Sequence, residues 1–152
     1  MIAQYIPYAM AAVLILALCI DIRTARMPNW LTLLPVVLFI VQIATSGDPS
    51  AYGWQLAQGA IVFVLGIGLF AVGGMGAGAV KLLAGTALLI PTSNAWIAVV
   101  GFLGAVFVLF PIIIWTRKAI GSEDSKWAVL ARQILPMSLP IAAAGLLGMF
   151  YA

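Results

Sequence analysis

The sequence predicts an all-α, polytopic membrane protein, and three observations lead to that fold class. Of its 152 residues, 65% are hydrophobic and only 7% are charged, whereas a soluble domain carries roughly 25% charged residues. The apolar residues fall into six runs that are separated by short polar connections. All Lys and Arg residues lie in alternate connections. A soluble fold of this length cannot bury so much apolar surface, so the surrounding solvent must be lipid.

The first predicted span runs from Ile2 to Ile20. No Lys or Arg precedes Arg23 and no small-residue cleavage site is present, so we interpret this segment as a retained helix and not as a signal peptide. The one cysteine, Cys19, lies within it. An internal disulfide and a thiolate zinc site are excluded, because each needs more Cys or His residues than the chain has.

Five further spans follow, and the polar segments between them set their limits. A helix crosses the bilayer core with roughly 20 residues at about 1.5 Å each, and the second and fourth spans are shorter. Either residues 73–79 extend the fourth helix or the membrane thins around it. We expect residues 1–152 to form a single membrane-embedded domain. The predicted spans are Trp30–Thr45, Trp54–Val72, Val80–Ile90, Ala95–Trp115 and Ile134–Ala152.

The distribution of positive charge predicts the orientation of the chain. Lys and Arg follow the first, third and fifth spans, while the connections SGDPSAYG and PTSN contain neither. Because positively charged loops are retained in the cytoplasm, we expect the odd-numbered connections inside and both termini outside. The net charge of +3 follows from this asymmetry and does not require a nucleic-acid partner.

The fifth connection contains the segment SEDSKWAVLARQI, which has an apolar helical face. Apolar residues between Trp127 and Ile134 recur at helical spacing, and Lys126 and Arg132 lie elsewhere on the helix. The pattern predicts a short helix from Ser122 to Ile134 on the cytoplasmic surface. It would serve as a connector that anchors the last span, or as a contact for a substrate or partner.

Of the four acidic residues, three have structural explanations. Asp48 lies beside Pro49 in a connection and is typical of a turn. Glu123 and Asp124 open the predicted surface helix, where negative charge suits the helix N-terminus. Only Asp21 is left as a candidate for chemistry.

Asp21 follows an apolar run directly, where a carboxylate is costly unless it is paired or functional. Its structural alternatives are an ion pair with Arg23 or Arg26, or simple hydration. Beyond it, Pro28 interrupts the helix and Asn29 is placed to cap the second one.

A second candidate segment, VGGMGAGAVKL, runs from Val72 to Leu82. Gly74 and Gly78 have the small-xxx-small spacing that lets membrane helices approach closely. Lys81 can extend its side chain to the headgroups. Taken alone, both features have structural explanations.

Together, DIRTARMPN and GGMGAGAVKL resemble the two signatures of the type IV prepilin peptidases, which are membrane aspartic proteases of the GxGD kind. Those signatures look like D-x-R-x-x-x-I-P-N and G-x-G-A-G-D-V-K-L, and the resemblance extends to their order and to the six-span layout. It implies that Asp21 is the first catalytic aspartate and that Ala79 occupies the position of the second. It also implies that Gly76, Gly78 and Lys81 belong to the substrate loop.

The alanine at position 79 departs from this pattern at the most important residue. Two neighbouring carboxylates share a proton, so that one activates a water as base and the other protonates the peptide as acid. With a methyl group at position 79, Asp21 lacks its partner, and we expect the chain to be inactive. An engineered Asp-to-Ala change and a natural pseudo-enzyme both explain Ala79, and the otherwise intact motifs favour the engineered change.

The resemblance also implies a substrate and a location. The short first connection leaves no room for the cysteine-containing methyltransferase insert of larger members, so the chain resembles the short form associated with Flp/Tad pili. Archaeal preflagellin peptidases are similar in size and remain an alternative. With an aspartate at position 79, we would expect cleavage of prepilin or pseudopilin leaders at the cytoplasmic face of the bacterial inner membrane, next to the pilus assembly machinery. No cofactor, metal or nucleic acid is implied.

The alternative from another class is a non-catalytic membrane scaffold, a pseudo-peptidase of pilus assembly or a small transporter subunit. A transporter needs an ionisable residue near the bilayer midplane, whereas the charged residues of this chain lie near the predicted interfaces. A scaffold does not require Asp21 and residue 79 to meet, so their proximity separates the two classes.

Overall fold

The computed structural model describes residues 2–120 and 136–151. Within these ranges the chain is helical and contains no strand, which confirms the predicted fold class. The predicted surface helix over residues 122–134 lies outside the described residues. The α-helices are α1 Ile6–Thr24, α2 Asn29–Ser46, α3 Gly53–Ala71, α4 Ala77–Leu89, α5 Ala95–Ile120 and α6 Ser138–Phe150. Short 3-10 turns precede three of them, at Ile2–Tyr5, Pro49–Tyr52 and Thr92–Asn94.

The helices differ in length. In the described part of the chain, α1, α2, α3 and α5 are long and apolar enough to cross a membrane, whereas α4 and α6 are shorter apolar helices. With 13 residues each, α4 and α6 extend about 20 Å, less than the roughly 30 Å of the hydrocarbon core. The prediction of a short fourth helix is therefore confirmed, whereas the second helix, which was also predicted to be short, is long enough to cross a membrane.

Two helix boundaries differ from the predicted ones in ways that affect the site. The first helix continues to Thr24, so Asp21 lies inside α1 and not after it. The last helix begins at Ser138 and not at Ile134, because Pro136 and Met137 lie outside the helix and Pro136 donates no backbone hydrogen bond.

The glycine segment forms the turn between α3 and α4. Gly73 has φ +75°, and the amide of Gly74 donates to Leu69 O at 2.8 Å, as in the Schellman ending of a helix. Since α4 begins only at Ala77, Gly74 and Gly78 do not share a helix. The small-xxx-small interpretation of this pair is wrong, because the left-handed glycine ends α3 before the pair can form a helix face.

Helix α4 lies at the centre of the bundle and packs against α2, α3 and α6. Glycines permit the close approach. A Cβ atom added at Gly66 of α3 would meet Val80 at 2.7 Å, and one added at Gly85 of α4 would meet Pro35 of α2 at 2.8 Å. Membrane helices associate through such small residues, because lipid is as apolar as the protein core.

The outer helices expose large apolar side chains. On α3 and α5 these lie along much of the helix length, as expected for surfaces that face lipid rather than water. They include Trp54, Ile61, Val64, Leu65, Trp96, Val99, Phe107 and Trp115.

Candidate active site

The two sequence motifs meet in one pocket. The cavity has a volume of about 390 Å³ and lies where α1 ends and α4 begins. It brings together four of the predicted site residues, Asp21, Gly76, Gly78 and Ala79. Its other lining residues are Ala25, Arg26, Met27, Ala77 and Met137.

Asp21 is buried, with 8% of its surface exposed. Its Oδ2 atom accepts one hydrogen bond from the Ser138 amide at 3.1 Å and another from the Ser138 hydroxyl at 2.7 Å. The carboxylate thus lies at the first residue of α6, where helix amides favour negative charge. Its burial excludes simple hydration as the explanation for this acid.

Ser138 was not a predicted site residue. It lies 117 positions from Asp21, so nothing in the first motif indicates the contact. The available signal is weak. A serine lies two residues after Pro136, at the start of an apolar run, and serine is common at helix N-termini. Such a signal predicts a helix start but not the distant acid that binds to it.

The end of α1 is shaped by a residue in the left-handed region. Ala25 has φ +52°, and its amide donates to Asp21 O at 2.8 Å. The Thr24 hydroxyl donates to Ile20 O at 2.8 Å and accepts from the Arg26 amide at 3.3 Å. These bonds turn the chain sharply after Thr24 and direct the following loop across the start of α4.

The two loop glycines have different surroundings. Gly76 caps α4 with extended backbone, and a Cβ atom added there would meet nothing within 4 Å. A Cβ atom added at Gly78 would meet the Cβ atom of Met27 at 2.7 Å. Gly78 therefore lets the loop of the first motif lie directly on the helix of the second.

Ala79 is the third residue of α4 and is 6% exposed. A side chain at this position lies in the first helical turn, where unpaired amides favour a negative charge. The site is thus electrostatically suited to a carboxylate at position 79, although the chain has a methyl group there.

Lys81 lies apart from this pocket. It lines a separate groove of about 580 Å³ between α2, α3 and α4, and its Nζ atom donates to Asn29 Oδ1 at 3.1 Å. The prediction that Asn29 caps α2 is wrong, because Pro28 occupies the cap position and Asn29 is the first helical residue. The Asn29 side chain instead joins the first motif to the second.

No metal site is evident in the described ranges, since nowhere within them do three His, Cys, Asp or Glu side chains come together. Cys19 is exposed on α1. What the pocket offers chemically is one oriented carboxylate and an adjoining buried position on a helix N-terminus.

Comparison with known proteins gives a family match. The profile of the type IV leader peptidase family matches residues 8–100, a range that contains both motifs and more than half of the chain. Neither the curated proteins nor the solved structures gave a match. Because this match covers more than half of the chain, the chain belongs to the type IV leader peptidase family.

Proposed function

We propose that this chain binds the leader region of type IV prepilins, of the Flp/Tad kind, as an aspartic endopeptidase that lacks one of its two acids. The observation that carries the proposal is the common pocket of Asp21 and Ala79. Residues so far apart in sequence would not line one cavity if the two motifs were independent structural features.

The chemistry follows from what a carboxylate at position 79 would add. With Asp21, it would form a pair that shares one proton, so that one oxygen takes a proton from water and the other donates to the peptide carbonyl. The water would attack the scissile carbon, and the carboxyl group that took the proton from water would then donate it to the leaving amine. Ala79 can neither hold the water nor exchange a proton, so the chain as it stands binds substrate without cutting it.

We further propose that the pocket faces the cytoplasm from the bacterial inner membrane. Support comes from the positive residues at this end, since Arg26 lines the pocket and Lys81 lies one helical turn into α4. Prepilins enter with a basic leader in the cytoplasm and an apolar helix in the bilayer. The leader would cross the pocket while the apolar helix packs against the enzyme within the lipid.

The test is a cleavage assay in membrane vesicles with a prepilin substrate. We expect Ala79→Asp to raise the cleavage rate by a factor of about 10² to 10⁴ or more, because one general acid–base group contributes that much. Ala79→Asn is the matched control, since it has the same shape and no ionisable group. Asp21→Asn in the Ala79→Asp background should abolish the gain.

Two results would contradict the proposal. One is cleavage by the unaltered chain at the rate of the Ala79→Asp form, and the other is full activity of the double variant that combines Ala79→Asp with Asp21→Asn. Binding of prepilin with no cleavage by any variant would instead favour a scaffold of pilus assembly, the alternative from the non-catalytic class.

A further inference from the structure

We propose that Ser138 is a positioning residue for Asp21: it holds one carboxylate oxygen so that the other faces the pocket. This inference rests on the proposed function and extends the site to a third part of the chain. Ser138 lies outside residues 8–100, the range that the family profile matches.

The contact between Ser138 and Asp21 holds the carboxylate in one orientation. Ser138 has no exposed surface, and its amide and hydroxyl both donate to Oδ2 of Asp21, at 3.1 and 2.7 Å. Two donors on one oxygen fix both the place of that oxygen and the plane of the carboxylate. Bonds to an ionised acceptor are also stronger than those between neutral groups.

Because Oδ2 of Asp21 is held by Ser138, Oδ1 is the oxygen left to act in the pocket. Asp21 lines the pocket that contains Ala79, so Oδ1 is the oxygen that would meet a water or a substrate there. A catalytic group must be held within roughly 0.5 Å of its productive position by surrounding hydrogen bonds. Ser138 supplies such bonds from α6, and Met137 beside it lines the same pocket.

The chain contains a matched control. Ser50 makes the same pair of bonds to one oxygen of Asp48, from its amide at 3.0 Å and its hydroxyl at 2.6 Å. That pair is exposed and follows the C-terminal end of α2, whereas the pocket includes Met27, just before the N-terminal end of the same helix. If removing any serine hydroxyl of this kind altered the reactivity of Asp21, both Ser138→Ala and Ser50→Ala would do so. If Ser138 positions Asp21, only Ser138→Ala will.

The first experiment measures how fast a carbodiimide modifies Asp21 in the unaltered chain, by mass spectrometry of the peptide that contains it. Ser138→Ala should raise the rate about tenfold or more, as expected on losing a hydrogen bond to a charged group. Ser138→Thr, which keeps both donors, should stay near the rate of the unaltered chain. Ser50→Ala should leave Asp21 unchanged.

The second experiment uses Ala79→Asp as background and separates kcat from KM. Ser138→Ala should lower kcat about tenfold, since it removes one charge-assisted bond, and should change KM by less than about twofold. The assay is run well below the thermal midpoint of each variant, so that a purely structural loss does not reduce kcat.

The outcomes separate this inference from the proposed function. If Asp21 in Ser138→Ala is modified within about twofold of the parent rate, the positioning role is overturned, whether or not Ala79→Asp cleaves. If Ala79→Asp cleaves and Ser138→Ala leaves its kcat unchanged, the positioning role is also overturned while the proposed function stands. If Ala79→Asp does not cleave at all, the proposed function fails, and the positioning role in catalysis is withdrawn with it.

Discussion

Two aspartate–serine pairs lie at opposite ends of α2, and they use the same chemistry in different surroundings. At the site end, where Asp21 and the other pocket residues lie, both donors of Ser138 reach one oxygen of Asp21. At the turn end, which comprises residues 47–53, both donors of Ser50 reach one oxygen of Asp48. The first pair joins two helices across the bundle and is buried, while the second closes a local turn and is exposed.

The two aspartate–serine pairs depend on the tertiary structure to different degrees. Asp48 caps the turn Pro49–Tyr52, as predicted from the residues beside it. The Ser50 hydroxyl, and then its amide, hold the pKa of Asp48 below its ordinary value of 3.8. Water can replace Ser50 there. Water cannot easily replace Ser138, so the site pair is the one on which the packing depends.

The residues that terminate the helices also differ between the site end and the turn end. Helix α2 ends at the turn end with Gly47 at φ +77°, whereas α1 ends at the site end with Ala25 at φ +52°. A glycine adopts this conformation without strain, and an alanine does not. Strained backbone of this kind concentrates at functional sites, and Ala25 lines the pocket.

The largest effect should come from removing the two acids. We expect Asp21→Ala to lower the free energy of unfolding by roughly 2–4 kcal/mol, because it leaves two buried donors of Ser138 without an acceptor. Asp48→Ala should cost clearly less, since its donors become hydrated. Chemical unfolding in mixed micelles, followed by circular dichroism, measures both. Equal losses in the two variants would remove the distinction between the ends, and Asp21→Asn should fall between Asp21→Ala and the parent.

A smaller effect should come from filling the space at Gly78. An added methyl group would overlap Met27, so we expect Gly78→Ala to cost about 1–3 kcal/mol, as overpacking does. At the turn end, a Cβ atom added at Gly53 would meet nothing within 4 Å, and Gly53→Ala should be close to neutral. The same unfolding measurement compares the two. A neutral Gly78→Ala would show that the loop and α4 need not touch.

The smallest effect should come from exchanging the helix endings, with opposite signs at the two ends. Ala25→Gly should stabilise the chain by about 1 kcal/mol by relieving left-handed backbone, and Gly47→Ala should destabilise it by about the same amount. Thermal midpoints in lipid nanodiscs report both changes. A loss of stability in Ala25→Gly would mean that the conformation of Ala25 carries no strain.

Features that depend on composition or on near neighbours can be predicted from the amino-acid sequence. The membrane class follows from the apolar content, the six α-helices of residues 2–120 and 136–151 follow from the polar segments between the apolar runs, and the turn that Asp48 opens follows from adjacent residues. The site was partly accessible too, because the resemblance of the two motifs named Asp21 and position 79. None of these inferences required knowing which helices touch.

Tertiary structure alone decided the contacts between distant residues. The bonds of Asp21 to Ser138 and of Lys81 to Asn29, and the contact of Gly78 with Met27, join residues from separate parts of the chain. The physical reason lies in the solvent. In water, an apolar stripe reveals which helix face is buried, but lipid is as apolar as the core, so hydrophobicity does not distinguish the buried sides of these helices from the lipid-facing sides.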